Sequence, residues 1–136
     1  MTESAISNAA HTTSSDTRRV TAILVVHDGA TWLPEVVASL ASQTRPIDFT
    51  IAVDTGSDDE SAKLLKRARV PSITLGRELG FGSAVAEGVK LAPPSTTHSA
   101  ENEWLWLIHD DCAPEPFVFC GVGRAWRRQL DAFCNR

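Results

Sequence analysis

Residues 20–26, Val-Thr-Ala-Ile-Leu-Val-Val, run straight into His27-Asp28-Gly29-Ala30. A continuous apolar, β-branched run of this length is too short for an ordinary helix and matches a strand buried on both faces. Such a strand lies at the centre of a covered sheet. After it, Trp32, Leu33, Val36, Val37 and Leu40 recur at helical spacing, with Thr31 placed as an N-cap and Pro34 tolerable in the first turn. A helix to about Ser42 is therefore predicted. Residues 49–53 (FTIAV) read as a second strand, 61–69 as a helix closed by Pro71, and 72–75 as a short third strand. Helical spacing returns over 83–91, a polar loop covers 93–102, and residues 104–108 (WLWLI) form a fourth strand ending at His109-Asp110-Asp111. Strand and helix alternate throughout. The expected fold class is α/β, a mainly parallel sheet with right-handed crossovers and helices on both faces.

The rest of the composition agrees with one globular domain. The chain has 136 residues, 43% hydrophobic and 22% charged, long enough to bury roughly two-thirds of its unfolded surface without staples. A net charge of −4 lacks the basic excess of a phosphate-gripping protein, so no nucleic-acid partner is expected. No stretch approaches a membrane span, and residues 1–17 lack the apolar centre of a signal peptide. They are expected to be a disordered leader. Residues 1–116 carry nine basic and sixteen acidic side chains, net −7, whereas 117–136 carry four arginines against Asp131, net +3. Cys112, Cys120 and Cys134 all fall late, in no metal-ligand spacing, which suggests reduced thiols in a cytosolic setting. The expected organisation is thus a leader (1–17), an α/β domain (18–116) and an atypical C-terminal tail (117–136), consistent with a truncated or frame-altered product.

All strands of a parallel sheet finish at one edge, and ligands of open α/β folds bind beyond that edge. Asp28 follows the first strand, Asp54 the second, Arg77 and Gly80 the third, and Asp110 and Asp111 the fourth. The sequence therefore delivers carboxylates from distant segments to one rim. Asp58 and Asp59 read as caps of the helix after them, and Asp54 fits either a turn or a site role. Adjacent Asp110 and Asp111 differ, because like charges about 4 Å apart cost on the order of 4 kcal/mol at an effective dielectric near 20. A hard cation, Mg²⁺ or Mn²⁺, would relieve that repulsion, with water and substrate phosphate completing its shell. His109 reads as a hydrogen-bond partner before a ligand, Cys112 as packing beneath the loop, and Trp32, Trp104 and Trp106 as core. The segment around Gly80-Phe81-Gly82 follows the wrong strand for a dinucleotide fingerprint, and P-loop, nucleophile-elbow and zinc motifs are absent from the sequence.

Four segments together resemble a known family. VTAILVVHDGATWLPEVVASLASQT, TIAVDTGSDDES, RELGFGSAVAEGVKLA and WLWLIHDDCAPEP are similar, in order, to the first strand and helix, the second-strand aspartate turn, the glycine-containing third motif and the Asp-x-Asp strand of family 2 glycosyltransferases. The resemblance implies the Rossmann-like donor half of an A-type glycosyltransferase fold and a nucleotide-diphosphate sugar of UDP or dTDP type. By position, Val26, His27 and Asp28 would cradle base and ribose, Asp54 would accept the base N3–H, and Arg77 and Gly80 would approach the nucleoside. Asp111 matches the metal-binding last Asp, with Asp110 beside it as a second ligand or a sugar contact. Two positions depart from the pattern: Thr55 stands where an acidic or amide residue is usual, and His109 takes the first Asp position. The family's general base and acceptor pocket lie beyond the metal loop, and no residue is assigned as base. The expectation is a donor-binding fragment of a transferase acting on an acceptor hydroxyl, with a cell-envelope glycan or glycolipid as acceptor and a cytoplasmic location, at or away from the membrane's inner face. The alternative is a non-catalytic nucleotide-binding or interaction module.

Overall fold

The computed structural model describes residues 18–94 and 100–118. The expected leader, most of the expected tail, Cys120 and Cys134 lie outside the described residues. Four strands, β1 (Arg19–Val26), β2 (Phe49–Asp54), β3 (Ser72–Thr74) and β4 (Glu103–His109), alternate with helices α1 (Leu33–Ala41), α2 (Ser61–Arg67) and α3 (Phe81–Leu91), and a short 3₁₀ turn at Ala100–Asn102 precedes β4. The strands form one sheet in the order β3-β2-β1-β4, every pair parallel. The α/β fold is as the alternation implied.

β1 is buried along its whole length because both of its faces are covered. Ala22, Leu24 and Val26 face α1 and α2, where they pack with Leu33, Val36, Leu40, Leu65, Ala52 and Ile108. Ile23 and Val25 point the other way and pack with Ile51, Val53 and Ala84 of α3. The two-residue side-chain period of a strand thus feeds two cores at once.

The order of the strands also positions the site. From β1 the chain moves through α1 and α2 toward β3, then returns through α3 to β4 on the other side of β1. The chain leaves β1 toward β2 on one side and crosses from β3 to β4 on the other, so the strand order reverses between β1 and β4, the switch point at which open α/β sheets bind ligands.

Three expectations need correction. Trp32 is 48% exposed rather than core: it is the N-cap of α1, outside the buried stripe of Leu33, Val36 and Leu40. Its own N–H and that of Leu33 bond to Gly29 O, so the helix start is set by Gly29 and not by Thr31. Second, Trp104 and Trp106 are not core: β4 is the outermost of the four described strands, α3 packs over β1 and β2, and Leu105 and Leu107 are about half exposed, at 52% and 47%. Trp104 and Trp106 are only half-buried, although Trp106 does pack against the α1 core, as does Cys112. Third, α2 stops at Arg67, two residues before the expected end. Arg69 adopts a left-handed conformation (φ 57°), its N–H bonds to Lys66 O, and the Val70 N–H bonds to Leu65 O. This is a Schellman closure with arginine in the position glycine usually fills.

Candidate functional site

The loops after β1 and β2 are stitched together by side chains bonding to backbone. Register places Val26 opposite Asp54 and Val25 opposite His109, so the three strand ends are level. Asp54 is 2% exposed. Its Oδ1 accepts from Ser57 N–H (2.8 Å) and Ser57 Oγ (2.6 Å), while its Oδ2 receives no hydrogen bond from a described residue. A buried carboxylate with one oxygen satisfied and the other open is a preformed acceptor for an N–H donor. Ser57 Oγ also accepts the Asp28 N–H at 2.9 Å, linking the second strand's turn to the first's.

Asp28 sits in the left-handed region (φ 49°), which Asp tolerates better than most residues. Its Oδ1 accepts the Asp58 N–H (2.7 Å), and its Oδ2 accepts from Arg77 Nη2 (2.9 Å). The Arg77 guanidinium, followed by the Asp58 N–H, holds the Asp28 carboxyl down to about 2, and the same contact raises Arg77. Arg77 Nη1 also reaches Gly56 O (2.7 Å) and Asp58 Oδ2 (3.0 Å). Gly56 has φ +73°, and a Cβ there would lie 2.7 Å from Arg77 Cγ, so only glycine lets the arginine lie across the turn. Of the two expected caps, Asp59 does accept the Ser61 N–H (2.9 Å) and also the Ala30 N–H (2.9 Å); the Ser61 side chain, ahead of these two N–H groups, lowers its pKa. Asp58 does not cap; its carboxylate faces Arg77.

His27 Nδ1 lies 2.8 Å from Thr55 Oγ1 and 3.2 Å from Thr55 O. Because the Thr55 hydroxyl bonds to Val26 O, its oxygen accepts from His27, which places the ring proton on Nδ1. Nε2 then faces Arg77 Nη2 at 3.4 Å. Thr55, a departure from the family pattern, is thus the residue that orients His27. The Val26 side chain is fully buried in the α1 core, and only its backbone reaches the rim.

On the other side of the crevice, Asp110 Oδ2 accepts the His27 N–H at 2.7 Å. Burial, followed by the neighbouring Asp111 charge, raises the Asp110 pKa against the opposing effect of that N–H. A Cβ on Gly29 would collide with the Asp110 carboxylate, so this approach also needs glycine. Asp111 is exposed, and His109 stacks on Phe81 with ring centroids 4.2 Å apart. Gly80 is the N-cap of α3, with extended backbone and open space around its α-carbon.

The expected residues His27, Asp28, Asp54, Arg77 and Asp110 are therefore joined in one network, with Asp111 and Gly80 on its margins. Ser57, Thr55 and Gly29 were not singled out as site residues. The Asp-x-x-Ser spacing of a side-chain-closed turn was the available signal for Ser57. As for a cation, no three His, Cys, Asp or Glu side chains among the described residues gather to enclose one. The donors present instead suit the mode in which Mg²⁺ or Mn²⁺ takes one or two carboxylates and completes its shell with substrate phosphate and water, with exposed Asp111 the available carboxylate.

Several solved structures share this architecture. S. aureus TarS 1–349 in complex with UDP is 18% identical, with a TM-score of 0.55, over 73% of this chain and 29% of that one. Glucosyl-3-phosphoglycerate synthase from Mycobacterium tuberculosis, in complex with Mn²⁺, UDP and glucosyl-3-phosphoglycerate, is 16% identical, with a TM-score of 0.57, over 73% of this chain and 36% of that one. At these identities the likeness is one of fold, and the chain spans well under half of either structure. No curated protein matches the chain. The model of the family described as "Glycosyl transferase family 2" matches residues 21–134, most of the sequence. The chain belongs to glycosyl transferase family 2.

Proposed function

We propose that this chain binds the nucleoside-diphosphate end of an activated sugar in the crevice between β1 and β4, as the donor-binding part of a transferase that moves the sugar to an acceptor hydroxyl. The observation that carries the proposal is the Asp54 carboxylate, buried at the strand end with one oxygen held by Ser57 and the other unclaimed. A uracil or thymine N3–H is the matching donor. UDP in the two related structures supports uridine as the first base to test.

The network supports a reading of the remaining roles. His27, fixed by Thr55 at Nδ1 and facing Arg77 at Nε2, lines the crevice wall with its ring and backbone. Asp28 and Arg77 hold the turns after β1 and β2 in register, so the pocket is shaped before ligand arrives and little ordering is left to oppose binding. Asp110 is tied to the His27 N–H and walls the crevice on the β4 side, and His109 before it stacks on Phe81 at the start of α3. Asp111 would hold Mg²⁺ or Mn²⁺, with Asp110 beside it as a further ligand; Mn²⁺ in the M. tuberculosis synthase structure supports this. When bound, the ion would neutralise the departing diphosphate. No described residue is assigned as the base for the acceptor. For that reason the non-catalytic nucleotide-binding module stays as the second reading. Among the described residues no helix is long and apolar enough to cross a membrane, and a glycan or glycolipid acceptor is proposed only by family analogy.

The test is calorimetric titration with uridine, UDP and UDP plus Mn²⁺. Asp54→Asn keeps an oxygen for Ser57 but replaces the open acceptor with a donor. It is expected to weaken uridine and UDP binding about 10- to 100-fold, the range for losing a hydrogen bond to a charged group. Asp111→Asn is expected to leave uridine binding alone and remove the Mn²⁺-dependent gain for UDP. Unchanged affinities in both variants contradict the proposal. Sugar transfer by the wild-type chain separates the enzyme from the binding module.

A further inference from the structure

The turn that carries Asp110 and Asp111 is held from below by the C-terminal end of α1. Cys112 N–H bonds back to His109 O at 3.2 Å, closing the turn, and Cys112 and Ala113 pack against the α1 core. The next three carbonyls are then bonded in succession. Ser39 Oγ donates to Pro114 O, Gln43 Nε2 donates to Glu115 O at 2.9 Å, and Thr44 donates to Pro116 O through both its N–H (2.8 Å) and its Oγ1 (2.9 Å). These partners lie more than 70 residues apart in sequence. Two of the three loop residues are prolines, which have no N–H to build a ladder of their own. Their carbonyls depend on donors from outside the loop.

Gln43 is the centre of this arrangement. It is only 6% exposed, and its Nε2 also bonds to Ser39 O, the carbonyl a turn earlier in α1. Its Oε1 is buried without a hydrogen-bond partner among the described residues. A sealed acceptor left unsatisfied is unfavourable, a cost set against the two bonds its Nε2 makes. What it supplies is a fork of N–H donors joining the helix to the loop, a job an apolar side chain of the same volume cannot do.

We propose that Gln43, with Ser39 and Thr44 beside it, is a positioning residue that sets the Asp110–Asp111 turn for binding the diphosphate and its cation. The proposal rests on the nucleotide-sugar reading above. Asp110 is fixed from the crevice side by the His27 N–H, and the α1 clamp fixes the chain on the far side of Asp111. Between the two anchors the exposed Asp111 carboxylate is confined without any bond of its own to a described residue. Residues that orient a metal carboxylate from behind commonly change metal affinity by about 10- to 100-fold when removed.

The full chain, Gln43→Leu and Ser39→Ala are titrated with uridine, with UDP, and with UDP plus Mn²⁺, and their thermal unfolding is recorded. Expected for Gln43→Leu is a loss of at least about tenfold in the Mn²⁺-dependent affinity for UDP, with uridine affinity unchanged. Ser39→Ala keeps Gln43 and loses only the Pro114 bond, so it should show a smaller loss in the same direction; it carries the test if Gln43→Leu does not fold. Equal weakening of uridine and UDP, in step with a lowered Tm, overturns the proposal and leaves Gln43 merely structural. Unchanged affinities in both variants overturn it as well. A wild-type chain that binds neither ligand contradicts the nucleotide reading itself, and the clamp with it. That result is distinct from a wild type that binds and variants that match it.

Discussion

Arg77 and Asp28 show how a single pair can organise a rim. Each is exposed enough that their attraction is screened by water, and surface ion pairs of this kind add little to stability. Their value is geometric. Arg77 touches Gly56 O, Asp58 and Asp28 at once, and in doing so joins the loops after β1, β2 and β3. The Asp28 pKa, held near 2 chiefly by Arg77, gives a direct readout. A carboxyl whose folded pKa lies below its unfolded value stabilises the fold above the unfolded pKa, and that contribution is lost as pH falls through the folded one. For Asp28 the window runs from the ordinary carboxyl value of 3.8 down to about 2. In Arg77→Met, carbon-detected NMR titration should find the Asp28 midpoint moved up toward 3.8, while the stability difference between wild type and variant closes as pH falls across that window. An unmoved midpoint would mean that the Asp58 N–H alone holds the carboxylate.

Among the elements, α2 is where local chemistry works against its own geometry. The Schellman closure places Arg69 at φ 57°, a conformation that costs an L-residue roughly 1 kcal/mol and glycine almost nothing. Arg69→Gly should therefore raise stability by about 1 kcal/mol in urea unfolding, less what glycine loses in chain entropy. A destabilised variant would show that the Arg69 side chain makes a contact worth more than the strain. The same helix shows what a linear reading can and cannot see. Apolar spacing located α2 because Leu65 must face the core, but nothing in Arg69-Val70-Pro71 announces a left-handed turn, since the usual glycine is missing. β1 was legible because burial on both faces leaves a signature in every residue. β4 carries the same signature in WLWLI and yet is outermost among the described strands, because strand order depends on non-local pairing that composition does not encode. Trp32 was misjudged for a related reason: its distance from the apolar stripe depends on where the helix starts, and Gly29 O sets that point.

For the molecule as a whole, the site follows from topology. Placing β1 between β2 and β4 brings the ends of three strands level, and because parallel strands finish together, Asp28, Asp54 and Asp110 meet although more than 80 residues separate the first from the last. That meeting was readable from the acidic residue after each strand. The bonds that organise it were not: Ser57, Thr55 and Gly29 have their roles only because the loops fold over one another, and Gln43 acts through carbonyls more than 70 residues away. The central claim is that these residues form one nucleotide-binding mouth. Amide NMR mapping of the ¹⁵N-labelled chain during titration with UDP and Mg²⁺ tests it most directly. The expected result is saturable shifts confined to His27–Gly29, Asp54–Ser57, Arg77, Gly80–Gly82 and His109–Cys112. Shifts scattered over α2 and the outer face of β3, or none at millimolar UDP, would contradict it.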